Sequence, residues 1–215
     1  AELGQLLKER NFDLALALQV YFKAGIITAL TSARTKLGCD MARARDVNWL
    51  FTNERIPPHS PQHVQEQYLE FVRHLGVDPE PVEWDIHITD REREEQASFF
   101  GELDKPACSV VIGTSNPRKN WTAEGYARVI EELEFVHGLQ PVLVGGPSRI
   151  ERDLADRVLA LTKARPIDAL GDNLRRLIYI LDGSALTVSP DTGPLHISRA
   201  LETPVVGLYG YTNPK

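Results

Sequence analysis

In the second half of the chain, short apolar runs alternate regularly with longer stretches whose apolar positions fall at helical spacing. Residues 109–113, 141–144, 185–188 and 205–209 are runs of strand length, and 167–170 is a shorter extended stretch. Between them, 122–137, 148–162 and 173–181 read as helices, as does a segment opening near residue 193 that carries Leu195, Ile197, Ala200 and Leu201 and ends at Pro204. Strands separated by helices of this length predict a parallel, doubly wound sheet, because each crossover returns the chain across a face of the sheet. The first half is less regular. Helices are expected over 3–10, 22–32, 61–75 and 89–103, and strands over 13–19 and 35–39. Residues 40–62 read as irregular, broken by Asn53, Pro57, Pro58 and Pro61. The stretch 76–90, with Pro79 and Pro81, leaves room for a short strand at 83–88. Thr89 with Glu92 three residues later marks a capping box at the head of the helix over 89–103. The pattern therefore predicts an α/β protein of two Rossmann-like lobes, parallel sheets with flanking helices, divided at 1–104 and 105–215.

Composition narrows the class. At 215 residues, with 42% hydrophobic and 25% charged side chains, the chain is an ordinary globular protein with enough length for a core. Its net charge of −6 argues against a basic surface for nucleic acid. No apolar stretch approaches the length that spans a membrane, and no signal peptide is visible, so a cytoplasmic protein is expected. Cys39 and Cys108 both sit in apolar settings; two buried free thiols is the simple reading, and a disulfide is the alternative. Met41 is the only methionine, which suggests an interior piece of a longer protein.

The candidate chemistry lies in four loops, each following a predicted strand of the second half. All four should converge at the carboxyl edge of the sheet, where open α/β sheets bind ligands. After the run 185–188, Asp191-Thr192-Gly193-Pro194 has the marks of a helix start, with Asp191 or Thr192 as cap and Pro194 in the first turn. Helix amides facing outward there suit a phosphate. Thr114 to Lys119 offers two hydroxyls (Thr114, Ser115) and two cations before Trp121; the bland reading is a solvated Lys-Arg pair. Gly145-Gly146-Pro147 permits close backbone approach, and Glu151 in the next helical turn is also what the helix dipole alone would favour. Gly171-Asp172-Asn173 opens a further helix. No Asp-x-Asp triplet is present, so a diphosphate would be neutralised by lysine and amides rather than by a metal ion held on paired carboxylates.

The block Asp191, Thr192, Gly193, His196, followed by PVVGLYGYTNP, resembles the nucleotide-sugar site of the ADP-heptose:lipopolysaccharide heptosyltransferases, a family of GT-B glycosyltransferases. The loop with Thr114, Ser115 and Lys119 is similar to that family's phosphate loop. Gln19-Val20-Tyr21-Phe22-Lys23, residues 43–57 and the stretch from His63 to Leu69 resemble its first lobe, although Val20 stands where the family has glycine. The resemblance implies transfer of heptose, with inversion, from ADP-L-glycero-D-manno-heptose to the inner core on lipid A, without a metal cofactor, by a protein peripheral to the inner membrane. It implies Lys119 on the diphosphate, Glu151 near the ribose, and the loop at Gly171 around adenine. It also implies Thr192 and Gly193 on the distal phosphate and Asp191 on sugar hydroxyls. His196 is either a phosphate contact or a residue that locks the turn. Gln19 and Lys23 would face the acceptor, and Arg43 and Arg45 could meet an anionic core or form a solvated face. The family's catalytic base, an aspartate in a Gly-Asp loop, has no match here, so no base is assigned; Asp40 and Asp46 are the loop carboxylates to consider if this chain turns over. Rival readings are a non-catalytic nucleotide-binding module, a GT-B enzyme using another nucleotide sugar, and an epimerase of GT-B architecture.

Overall fold

The computed structural model describes residues 2–60, 62–114, 119–171 and 173–210. They form two compact units, Ala1–Glu83 and Trp84–Lys215. The first holds a three-stranded sheet of β1 (Leu14–Ala17), β2 (Thr35–Gly38) and β3 (Glu54–Arg55), in that order and parallel throughout, with α1 (Glu2–Glu9), α2 (Phe22–Leu30) and α3 (Val64–His74). Its small core is Leu37, Cys39 and Ile56 against Phe71 of α3. Side chains alternate across a sheet, so Leu14 and Leu16 share the face that carries Leu37, yet both are exposed. The strand β3 and a short 3₁₀ turn, Asn48–Phe51, fall inside the region expected to be irregular. Neither has an apolar period to show: β3 is two polar residues whose backbone extends the ladder.

The second unit follows the expected alternation closely. Its elements are α4 (Asp90–Gly101), β4 (Ala107–Val111), α5 (Ala123–Phe135), β5 (Gln140–Val144) and α6 (Arg149–Leu161), then β6 (Ile167–Asp168), α7 (Leu174–Asp182), β7 (Leu186–Pro190), α8 (Gly193–Ala200) and β8 (Val205–Leu208). The five strands lie in the order β6-β5-β4-β7-β8, every neighbouring pair parallel. β4 is buried along its whole length, as the central strand of a sheet covered on both faces must be. One face packs Cys108, Val110 and Ile112 against Tyr126, Ile130, Ala155 and Val158; the other packs Ala107 and Val111 against Ile178, Tyr179 and Leu181. Cys39 and Cys108 are both free, one in each unit. Burial pushes the Cys108 thiol up to about 12 and raises that of Cys39.

Two expectations change. Residues 83–88 form no strand; Ile86 and Ile88 instead pack on the second unit's core. The division between units lies at 83/84 rather than near 105, because α4 is fastened to α7. Gln96 donates to the Tyr179 carbonyl at 2.7 Å and to Asp182 at 2.8 Å, Arg93 pairs with Asp182, and Phe100 fills the space a side chain at Gly183 would need. The capping box at Thr89 and Glu92 forms as expected, and Arg175 of α7 pairs with Glu92 at 2.5 Å. Among the described residues no helix is long and apolar enough to cross a membrane.

Candidate functional site

The strand order reverses at β4: the chain builds outward through β5 and β6, then returns to the other side of β4 with β7 and β8. The crevice beyond the carboxyl ends of β4 and β7 is thus the switch point at which doubly wound sheets bind their ligands. The loop after β4 and the turn after β7 meet there. Lys119 Nζ lies 2.9 Å from Asp191 Oδ2 and 3.5 Å from the Asp191 carbonyl oxygen. His196, one turn into α8, brings Nε2 to 3.7 Å from the other carboxylate oxygen, with its side chain otherwise exposed. Asp191 therefore sits between two nitrogen groups at the head of α8. Of the two residues expected to cap, Thr192 is the N-cap residue of α8, but its side chain makes no capping bond; Pro194 occupies the first turn as expected. Gly193 is exposed at the start of the helix.

Thr114 is buried, and its backbone N–H donates to Asn120 Oδ1 at 2.6 Å, which closes the loop after β4. Asn120 escaped the sequence reading because a loop asparagine carries no periodic mark. Trp121 beyond it lies edge-on to Tyr126, ring centroids 5.4 Å apart, and rests on Gly125. Ser115 lies outside the described residues, as does Asp172.

Glu151 is held by the loop it follows. Its Oε1 accepts from the Gly146 N–H at 2.9 Å, and its Oε2 from the Ser148 hydroxyl at 2.6 Å. Ser148 in turn accepts from the Glu151 N–H at 3.2 Å, capping α6. A side chain at Gly146 would come within 2.9 Å of this carboxylate, and one at Gly113, where φ is +77°, within 3.2 Å of Glu151 Cγ. The carboxylate thus ties the β5 loop to α6 and packs beside the end of β4. Each oxygen keeps acceptor capacity for a ligand hydroxyl.

In the first unit, Gln19 follows β1 and Lys23 stands in the first turn of α2, both exposed. Arg45 is also exposed, and its N–H donates to the Val20 carbonyl at 2.9 Å, joining the loops after β1 and β2. Arg43 differs from both expectations for it: it is neither a solvated cation nor open to an anionic partner. It donates to both oxygens of Glu70 at 2.8 and 2.7 Å, to the Pro57 carbonyl at 3.1 Å and, through Nε, to Asp40. These partners raise its pKa further. Asp40 also accepts from the Ala42 N–H at 2.9 Å. Burial pushes the Asp40 carboxyl up, but the bonds from Arg43 and Ala42 outweigh it and hold the acid below its usual range. A carboxylate so stabilised is a weak proton acceptor. Asp40 is therefore a structural partner of Arg43 and a poor candidate base. The sequence signal for this network is the pairing of an acid and a base three residues apart after a strand; its third member, Glu70, comes from α3 and has no local mark.

The sequence model of glycosyltransferase family 9 (heptosyltransferase) matches residues 1–215. The lipopolysaccharide core heptosyltransferase OpsX of Haemophilus influenzae is 32% identical over 214 residues, which cover 99% of this chain and 61% of OpsX. Lipopolysaccharide heptosyltransferase 1 of Pseudomonas aeruginosa is 29% identical over 98% of this chain and 58% of its own length. Among solved structures, the glycosyl transferase family 9 protein of Veillonella parvula superposes with a TM-score of 0.81 at 24% identity, over 99% of this chain and 62% of that one. Escherichia coli heptosyltransferase WaaC with ADP gives 0.74 at 25% identity, over 98% of this chain and 66% of that one. The chain spans about three fifths of the length of these curated relatives.

Proposed function

The chain belongs to glycosyltransferase family 9, and from that membership we propose that its second unit holds the donor of a heptosyl transfer, ADP-heptose, in the switch-point crevice. The observation that carries the reading is the placement of Lys119 and Asp191 across the carboxyl ends of β4 and β7, at the head of α8. A cation and helix amides at one spot suit the two phosphates of a nucleoside diphosphate. The acceptor hydroxyl, on the inner core of lipopolysaccharide, attacks the anomeric carbon from the face opposite the diphosphate. The bond from that carbon to the diphosphate breaks with its electron pair passing to ADP, and the hydroxyl proton leaves to a base. Lys119 and the α8 amides oppose the charge that gathers on ADP as that bond breaks, so their contribution grows toward the transition state. Asp191 accepts from sugar hydroxyls, and Glu151 offers its remaining lone pairs to ribose hydroxyls. Lys119 takes the part of a divalent ion, so transfer by the complete protein should continue in excess EDTA.

Calorimetry with ADP on this chain, beside a product assay on the full-length protein with ADP-heptose and a lipid A core acceptor, tests the reading. ADP binding with heptosyl product is expected. A full-length protein that ignores ADP-heptose but uses another nucleotide sugar would overturn the donor assignment. Arrest by EDTA with rescue by magnesium would overturn the role given to Lys119.

A further inference from the structure

Lys119 reaches Asp191 from a loop, and a loop lysine holds a useful position only if the backbone beneath it is pinned. The next residue supplies that pin. Asn120 turns its carboxamide back along the loop, and its Oδ1 accepts the N–H of Thr114, six residues earlier, at 2.6 Å. Thr114 follows Gly113, whose φ of +77° turns the chain just beyond β4. The bond therefore ties residue 120 to the end of the central strand. A side chain at Gly113 would lie 3.6 Å from both Oδ1 and Nδ2 of Asn120 and 3.2 Å from Glu151 Cγ, so both side chains pack over this glycine. One residue further on, Trp121 rests on Gly125 and lies edge-on to Tyr126. Lys119 is thus followed by two anchored residues, the first held by a hydrogen bond and the second by packing.

We propose that Asn120 is a positioning residue for the donor diphosphate: by holding the Thr114 N–H it keeps the Lys119 ammonium in place at the switch point before the ligand arrives. The inference rests on the donor-site reading above and adds to it a side chain that acts through Lys119. Thr114 is buried, so an amide that loses its acceptor there must find another, and the loop relaxes to supply one. The cost of ordering the loop then falls on binding. Asparagine suits the task because it accepts the N–H without setting a negative charge beside the phosphates. Because the gain passes through Lys119, it must vanish when Lys119 is removed.

The test is a double-mutant cycle by calorimetry, with ADP and with inorganic pyrophosphate, on the wild-type chain, Asn120→Ala, Lys119→Met and the double variant. Hydrogen exchange at the Thr114 amide and thermal melts are read on the same proteins. Asn120→Ala should weaken ADP and pyrophosphate alike, by about fivefold, and Thr114 should exchange faster. In the Lys119→Met background the same substitution should change either affinity by less than about twofold. Unchanged ADP affinity in a folded Asn120→Ala protein overturns the inference, as does an undiminished loss in the Lys119→Met background, which would mean that Asn120 does not act through Lys119. A loss for ADP without one for pyrophosphate also overturns it, because the effect would then lie on the nucleoside. So does Thr114 exchange at the wild-type rate, since the bond would not be what holds the loop. Should Asn120→Ala melt early, Asn120→Gln, which moves the carboxamide by one methylene, takes its place under the same criteria. Lys119→Met weakened for ADP beside an unaffected Asn120→Ala removes this inference alone. A wild-type chain that binds neither ligand removes the donor-site reading itself, and this inference with it.

Discussion

Lys119→Met separates a phosphate-binding cation from a lysine that merely neutralises its neighbour. Lys119 is paired with Asp191, the two side chains 27% and 22% exposed. A pair this open to water contributes about 0.2–1 kcal/mol to stability, so the variant should melt within a few degrees of wild type. Its effect on ADP should be larger. A hydrogen bond to a charged group is worth about 1.5–3 kcal/mol, but part of that is offset because the diphosphate must draw the ammonium away from Asp191. The expected net loss is about 1–2 kcal/mol, or roughly 5- to 30-fold in affinity. Isothermal titration of ADP into both proteins, with thermal melts on the same samples, reads the two effects separately. Asp191→Asn supplies the contrast: it removes the competitor for Lys119 and a negative charge beside the phosphates, so ADP should bind as well or more tightly, whereas the ADP-sugar loses a hydroxyl acceptor. If Lys119→Met leaves ADP affinity within twofold, Lys119 is only the partner of Asp191 and the phosphate assignment fails.

Two further outcomes test how each unit is held together. Arg43→Met leaves Asp40 and Glu70, whose side chains are 6% and 14% exposed, without their shared cation; a loss of about 3 kcal/mol is expected, the lower end for breaking a buried ion network. Hydrogen exchange in residues 35–45 should accelerate accordingly while that of the second unit is unchanged; unaltered protection would show the network to be dispensable. In the second unit the bond from Arg175, with those from Thr89, holds the Glu92 carboxyl far below its ordinary value of 4.5. A carboxyl depressed by folding contributes stability above its unfolded pKa and loses that contribution as pH falls toward the folded value. Wild type should therefore be more stable than Glu92→Gln at pH 6, and the two melting curves should converge as pH drops below about 4; a gap independent of pH would mean that charge at Glu92 is not what matters.

The second unit was largely legible because its strands are buried on both faces and its helices on one, so both periods are written in the apolar positions. The convergence of Lys119 and Asp191 followed from the same alternation, since a parallel sheet brings loops after successive strands to one edge. What stayed hidden depended on polar contacts between distant segments. Arg43 resembles a surface cation until α3 delivers Glu70, and 84–104 resembles the tail of the first unit until Gln96 and Arg93 find α7. Glu151 is a favourable helix-start residue by any local rule, and only the fold shows it holding the Gly146 amide.

The two thiols, one sealed in each core, make the chain its own pair of clocks. An alkylating reagent at neutral pH attacks only a thiolate that it can reach. Cys108 is wholly enclosed and Cys39 nearly so, and both are raised in pKa while they stay inside. Each is then modified at the rate at which its own unit opens, and with two cysteines in the sequence the two labelled peptides are told apart by mass. A change confined to one unit should speed one clock and leave the other alone. A ligand held by the second unit should slow Cys108 without touching Cys39.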